Sequence, residues 1–280
     1  MFLIFFKQLC KEQRKLSPFI YKHRTLFSRS YSSQTMEESI PFTKDFLFRQ
    51  HFDPYSSTYT YLLADSNSKE AIIIDPVLEW VDRDFNIIKE LGLSLKYAVN
   101  THMHADHITG SGKLKTLLPS CLSMISLKSG AQADISLSPM EEIKFGRHRL
   151  VCHPTPGHTQ GCMTFVCQEQ GIAFTGDTLL IRGCGRTDFQ EGCSEELYNS
   201  VHSVIYKLPD NFKLYPAHDY TGRTVTTVAE EKKFNPRLTK SLNEFIKIMN
   251  DLKLPRPKMI DTAVPANRKC GLFDVHTEKE

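Results

Sequence analysis

The seven residues Thr101-His102-Met103-His104-Ala105-Asp106-His107 put three imidazoles and one carboxylate into a single short stretch of chain. Imidazole and carboxylate are the ligands of zinc and of non-heme iron. Four such groups buried together without an ion would each need a hydrogen-bond partner, and burying them unpaired is costly. The stretch follows an expected strand, Lys96-Tyr97-Ala98-Val99-Asn100, and runs into glycine-containing chain at Gly110 and Gly112. Loops at strand ends are where reactive side chains are usually carried.

Three distant segments repeat this arrangement: Pro156-Gly157-His158-Thr159, Thr175-Gly176-Asp177-Thr178 and Tyr215-Pro216-Ala217-His218-Asp219-Tyr220. Each sets a histidine or aspartate just past an expected strand, next to glycine or proline. Taken singly, His104 or His107 is a helix cap or surface group, Asp177 a turn residue, and His218 a hydrogen-bonded core histidine. Taken together, one metal site at a sheet edge accounts for all of them. His51, His148, His153 and His202 fall outside the pattern and keep the ordinary reading.

Short strands must bring these groups to a common edge. The apolar pattern predicts strands over Tyr59–Leu63, Ala71–Ile74, Lys96–Asn100, Cys121–Leu127, Ile143–Phe145, Arg149–His153, Met163–Cys167, Ile172–Thr175 and Lys213–Pro216. It predicts helices over Val81–Leu91, Thr109–Leu118, Leu197–Leu208 and Pro236–Leu252, the last with proline near its start. Leu254-Pro255-Arg256-Pro257 reads as a stiff connector to a C-terminal tail. Strands and helices in mixed order indicate a layered α/β architecture. With no internal repeat and no low-complexity segment, residues 36–280 read as one domain.

Charge separates the first 35 residues from the rest. They hold seven of the 35 basic residues and one of the 32 acidic ones, leaving 28 basic against 31 acidic residues beyond them. The net charge of +3 therefore belongs to the leader and gives no reason to expect nucleic acid as a partner. Lys7, Lys11, Arg14 and Lys15 share one helical face, with Phe2, Phe5, Phe6, Leu9 and Leu16 roughly opposite. The pattern reads as a mitochondrial transit peptide over 1–35, cut near Ser32. No run approaches the roughly 18 apolar residues of a membrane span, so no membrane partner is expected. None of the eight cysteines forms a C-x-x-C pair, and most read as reduced, buried residues. Cys184, in the turn Arg182–Arg186, has a structural reading ahead of a nucleophilic one.

The full set of metal-binding residue types, in this order, resembles the metallo-β-lactamase superfamily, which implies an αββα sandwich with metals at one edge. In its dinuclear form, His102, His104, His158 and Asp177 would hold one ion, and Asp106, His107, Asp177 and His218 a second. That gives a zinc thioester hydrolase of the glyoxalase II type, one of two readings. The wider sequence is similar to the ETHE1-type persulfide dioxygenases in Tyr97–His102, Ala105–Gly110, Ser129–Asp134, Leu180–Phe189, Tyr215–Tyr220, Asn235–Thr239 and Val264–Asn267. Met103 departs from that family, where cysteine is common. This resemblance implies one Fe(II) per chain held by His102, His158 and Asp177, three ligands on one face. His104, Asp106, His107 and His218 would then orient the ligands. It implies glutathione persulfide and O2 as substrates in the mitochondrial matrix, and leaves a homodimer open. Arg186, Asn267 and Arg268 would bind the substrate, and Tyr220 would stand near the iron or its sulfur ligand.

Overall fold

The structure is a computed structural model that describes residues 40–272; the expected transit peptide lies outside the described residues. Two six-stranded sheets form its centre. The first runs in spatial order β1 (Phe46–Asp53), β2 (Thr58–Asp65), β3 (Glu70–Ile74), β4 (Ser94–Val99), β5 (Leu122–Ser126) and β6 (Ile135–Leu137). The second comprises β7 (Glu142–Phe145), β8 (His148–Pro154), β9 (Met163–Cys167), β10 (Ile172–Gly176), β11 (Lys213–Pro216) and β12 (Thr226–Thr227). The helices are α1 (Val81–Glu90), α2 (Ser111–Leu117), α3 (Ser194–Ser203), α4 (Val228–Phe234), α5 (Leu242–Asp251) and α6 (Ile260–Asn267).

Alternation along the strands separates the layers. Tyr59, Tyr61 and Leu63 of β2 and Ile72 and Ile74 of β3 point between the sheets, where they meet Met163, Phe165, Ile172, Phe174 and Tyr215. Their neighbours Leu62, Ala64, Ala71 and Ile73 face outward, against Val81 and Ile88 of α1 and Leu114 of α2. Val166, Ala173 and Leu214 face outward from the second sheet, against Leu197 and Val201 of α3 and Phe245 and Met249 of α5. Each large apolar side chain buried this way contributes roughly 1.5–3 kcal/mol. The result is the αββα sandwich in a single domain.

Two expectations about the C-terminal region are corrected. The helix expected from Pro236 starts at Leu242, behind a capping box made by Ser241 and Glu244. Residues 236–240 form a turn instead, because the Asn235 side chain accepts hydrogen bonds from the Arg237 and Leu238 N–H groups. The expected tail contains α6, whose Ile260, Ala263 and Ala266 are buried although Pro265 lies inside the helix. Strands β1, β6 and β12 and helix α4 were not anticipated.

Candidate metal centre

All four histidine and aspartate segments leave the sandwich at one edge. His102, Asp177 and His218 follow the last residues of β4, β10 and β11, and His158 follows β8. Strand pairing makes this convergence: β3 runs parallel to β4, and β10 runs parallel to β11. Two glycines allow the final approach. Gly157 has φ +133°, and a Cβ there would lie 2.2 Å from the Leu197 backbone nitrogen. A Cβ on Gly185 would lie 2.5 Å from the Asp177 carbonyl oxygen and 2.9 Å from the His158 ring. Only glycine lets the 182–186 turn lie this close to both residues.

One ligand atom from each of His102, His158 and Asp177 lies within 4.8 Å of the others. Both imidazoles are set to offer Nε2. His158 Nδ1 is 2.6 Å from the Arg186 carbonyl, which can only accept, so Nδ1 carries the proton. His102 Nδ1 is 3.0 Å from Thr101 Oγ1, whose own proton goes to Asp75 Oδ2. Asp177 Oδ1 is buried with no hydrogen-bond partner. Burial first, and then His104 beside it, hold the His102 pKa well below the ordinary imidazole value. Metal binding requires that neutral form. Two oriented imidazoles with the Asp177 carboxylate beside them, its Oδ2 3.6 Å from His158 Nε2, make a donor set that fits a divalent ion.

A second group, His104, Asp106 and His218, meets the same distance condition. His104 Nε2 is 3.0 Å from Asp75 Oδ1, which leaves Nδ1 buried without a partner. His107 Nδ1 is 3.1 Å from Asp106 Oδ2, and its Nε2 is likewise unpartnered. His218 Nε2 lies 3.5 Å from Asp106 Oδ2 and 3.6 Å from Asp177 Oδ1. Burial alone would lower the His218 pKa, but Asp177 and Asp106 outweigh it and raise it to about 8. Asp75 stands behind both groups. Fully buried, it accepts from the Thr101 N–H at 2.7 Å and the Thr101 hydroxyl at 2.8 Å. Asp75 is not among the residues that the sequence singles out; its one local signal is a carboxylate directly after the apolar strand Ala71–Ile74. Thr58 was also missed; its hydroxyl lies 3.3 Å from both His107 Nδ1 and His218 Nδ1.

A third group, Asp45, Asp65 and His148, lies at the other end of β2, where Arg147 already pairs with Asp45. Its position sets it apart from the cleft.

The cleft itself has a volume of about 770 Å³ and reaches His158, Asp177, Asp106 and His218. Arg186 lines it, but its guanidinium binds Asp188 at 2.6 and 2.7 Å and the Pro255 carbonyl at 2.8 Å. Tyr220 lines it, 71% exposed, with its ring parallel to that of His218 at 6.1 Å. The other two expected substrate contacts lie elsewhere. Arg268 is exposed and outside the cleft lining, and Asn267 is buried behind the histidine loop, beside Met103. The seven cysteines among the described residues are free thiols. Burial pushes the Cys184 thiol up to about 11, in keeping with a structural role.

Residues 54–226 match the family model described as the metallo-beta-lactamase superfamily. The chain is 62% identical over 226 residues to mouse (Mus musculus) "Persulfide dioxygenase ETHE1, mitochondrial", covering 81% of this chain and 89% of that protein. Identity to the human (Homo sapiens) protein of the same name is 61%, with the same coverage. The crystal structure of ETHE1 from Myxococcus xanthus superposes with a TM-score of 0.78 at 49% identity, covering 81% of this chain and 100% of that one. The chain therefore belongs to the metallo-β-lactamase superfamily and, within it, to the persulfide dioxygenase family.

Proposed function

We propose that this protein is an iron-dependent persulfide dioxygenase that converts glutathione persulfide, O2 and water into glutathione and sulfite in the mitochondrial matrix. The observation that carries the metal assignment is the His102–His158–Asp177 group, with both imidazoles turned to present Nε2 and Asp177 Oδ2 3.6 Å from His158 Nε2. His102, His158 and Asp177 would hold a ferrous ion, which would supply the site with the means to bind and activate O2 and the persulfide sulfur.

The chemistry balances without another reductant. The terminal sulfur supplies four electrons to O2, the sulfur–sulfur bond breaks, and water provides the third sulfite oxygen. Two protons leave for each sulfite dianion formed. Asp106 Oδ2 and His218 Nε2, 3.5 Å apart beside the triad, are placed to accept and pass on a proton. Of the five cations lining the cleft, Arg182, Arg186 and Arg256 pair with Glu230 and Glu231, Asp188 and Asp261, which leaves Arg237 and Lys258 to meet the carboxylates of a tripeptide thiol. Tyr220 stands at the mouth, where its ring covers His218.

The second group, His104, Asp106 and His218, favours one rival: a dinuclear zinc thioester hydrolase. Oxygen-electrode measurement with glutathione persulfide, paired with metal analysis of protein purified without added metal, decides between them. About one iron per chain with oxygen uptake supports the dioxygenase. About two zinc per chain, thioester cleavage and no oxygen uptake would replace it with the hydrolase.

A further inference from the structure

Helix α6 ends in a side chain whose hydrogen-bonding groups are all committed. Asn267 is 4% exposed. Its amide nitrogen donates to the His104 and His107 carbonyls, both at 2.9 Å. Its amide oxygen accepts from the Thr109 N–H at 2.8 Å. A primary amide offers two N–H donors and one carbonyl, and here every one of them is used on the backbone of a single loop.

Other contacts fix the rest of that loop. The Thr101 carbonyl accepts from the Met163 N–H, and Gln190 donates to the Met103 carbonyl. Asn267 supplies the corresponding tie for residues 104–109. The helix end is itself held down: the Gly112 N–H donates to the Cys270 carbonyl at 3.0 Å, and the Gln132 N–H to the Arg268 carbonyl at 2.8 Å. Asn267 faces a small cavity on the back of the loop, which His102, Met103 and His104 also line. The substrate cleft, reached by His158, Asp177, Asp106 and His218, shares no lining residue with that cavity.

We propose that Asn267 is a positioning residue of the metal centre: by fixing the His104–Thr109 backbone, it holds the His104 ring against the ligand His102 and Asp106 beside His218, without touching substrate. The proposal rests on the metal-centre reading above. It explains why an amide stands at this position. A carboxylate of the same shape would face two carbonyl oxygens with no proton to donate, and alanine would leave three backbone groups without these bonds.

The test uses the full chain as wild type, Asn267→Asp and Asn267→Ala, with Asn267→Ser as a milder variant that keeps a hydroxyl donor. Three quantities are measured anaerobically and well below the melting temperature. They are the Fe(II) dissociation constant by chelator competition, the melting temperature of the metal-free protein, and kcat and KM at saturating iron. The expected result is Fe(II) binding weakened by about 10- to 100-fold, a range typical of residues that support metal ligands. kcat should fall while KM stays close to wild type. A lower melting temperature with unchanged Fe(II) affinity of the folded protein would make the role merely structural and overturn the proposal. Unchanged Fe(II) affinity with a raised KM would overturn it in favour of substrate contact. The wild-type measurement tests the metal-centre reading itself: no Fe(II) binding there would bring down both, whereas the ratio of variant to wild type tests Asn267 alone.

Discussion

Asp177 is the residue on which the two metal groups meet: its Oδ2 lies 3.6 Å from His158 Nε2 and its Oδ1 3.6 Å from His218 Nε2. Asp177→Ala removes the one carboxylate of the triad and leaves only its two imidazoles. Iron content should fall from about one per chain to near zero and oxygen uptake should vanish with it; full activity in this variant would refute the ligand assignment. Arg186 acts through a different link. Its backbone carbonyl fixes the His158 tautomer, while its guanidinium ties Asp188 to the Pro255 carbonyl in the cleft wall. Arg186→Ala keeps the carbonyl and loses the tie. KM for glutathione persulfide is expected to rise several-fold with iron content unchanged, and an unaltered KM would detach this side chain from the substrate site. At this scale the sequence was most informative. His102, His158 and Asp177 stood out because their types and neighbours were chemically unusual. Asp75 and Thr58 did not, because their contacts are with histidines 29 and 49 positions away in the chain, which local sequence does not announce.

Elements carry these residues to the common edge, and two substitutions test how. Gly157→Ala would force a Cβ against the Leu197 backbone at α3, at a φ of +133°. Relief requires moving either α3 or the His158 segment, so a loss above about 3 kcal/mol is expected. Thermal unfolding and iron content should fall together. On α1, Asp84 is 1% exposed, and its Oδ2 has no partner although Oδ1 pairs with Arg83. Burial raises its pKa from 3.8 to about 6 against the opposing pull of Arg83. The native state therefore takes up a proton between pH 6 and 4 that the unfolded chain does not, so this group's contribution to stability improves as pH falls through that window. Asp84→Asn should stabilise the protein at pH 7 by up to about 3 kcal/mol, with the gain shrinking toward pH 4. Urea unfolding across that range measures it. Elements with clean alternation, such as β2, β3, β9 and β10, were legible in the sequence. β1 was not, because Arg49, Gln50 and His51 interrupt its apolar face. α6 was hidden by Pro265, and its register depends on packing against α2 and the histidine loop, which local pattern does not encode.

For the whole molecule, the charge of residues 1–35 makes the place where the chain works testable. Residues 1–35 carry seven basic residues and one acid, while the rest of the chain has 28 basic and 31 acidic residues. The mouse and human relatives are both named as mitochondrial proteins. A positive charge drawn across a membrane held 100 mV negative inside gains about 2.3 kcal/mol. A net +6 segment is therefore pulled inward strongly, and the weakly acidic remainder is not. Residues 1–35 fused to a fluorescent reporter should enter mitochondria and be shortened near Ser32. Changing Lys7, Lys11, Arg14 and Lys15 together to Gln should strand the reporter in the cytosol. Because all metal and cleft residues lie beyond position 35, the chain without its leader should keep the full chain's rate of oxygen uptake. A cytosolic wild-type reporter would refute the targeting reading while leaving the chemistry of the cleft untouched.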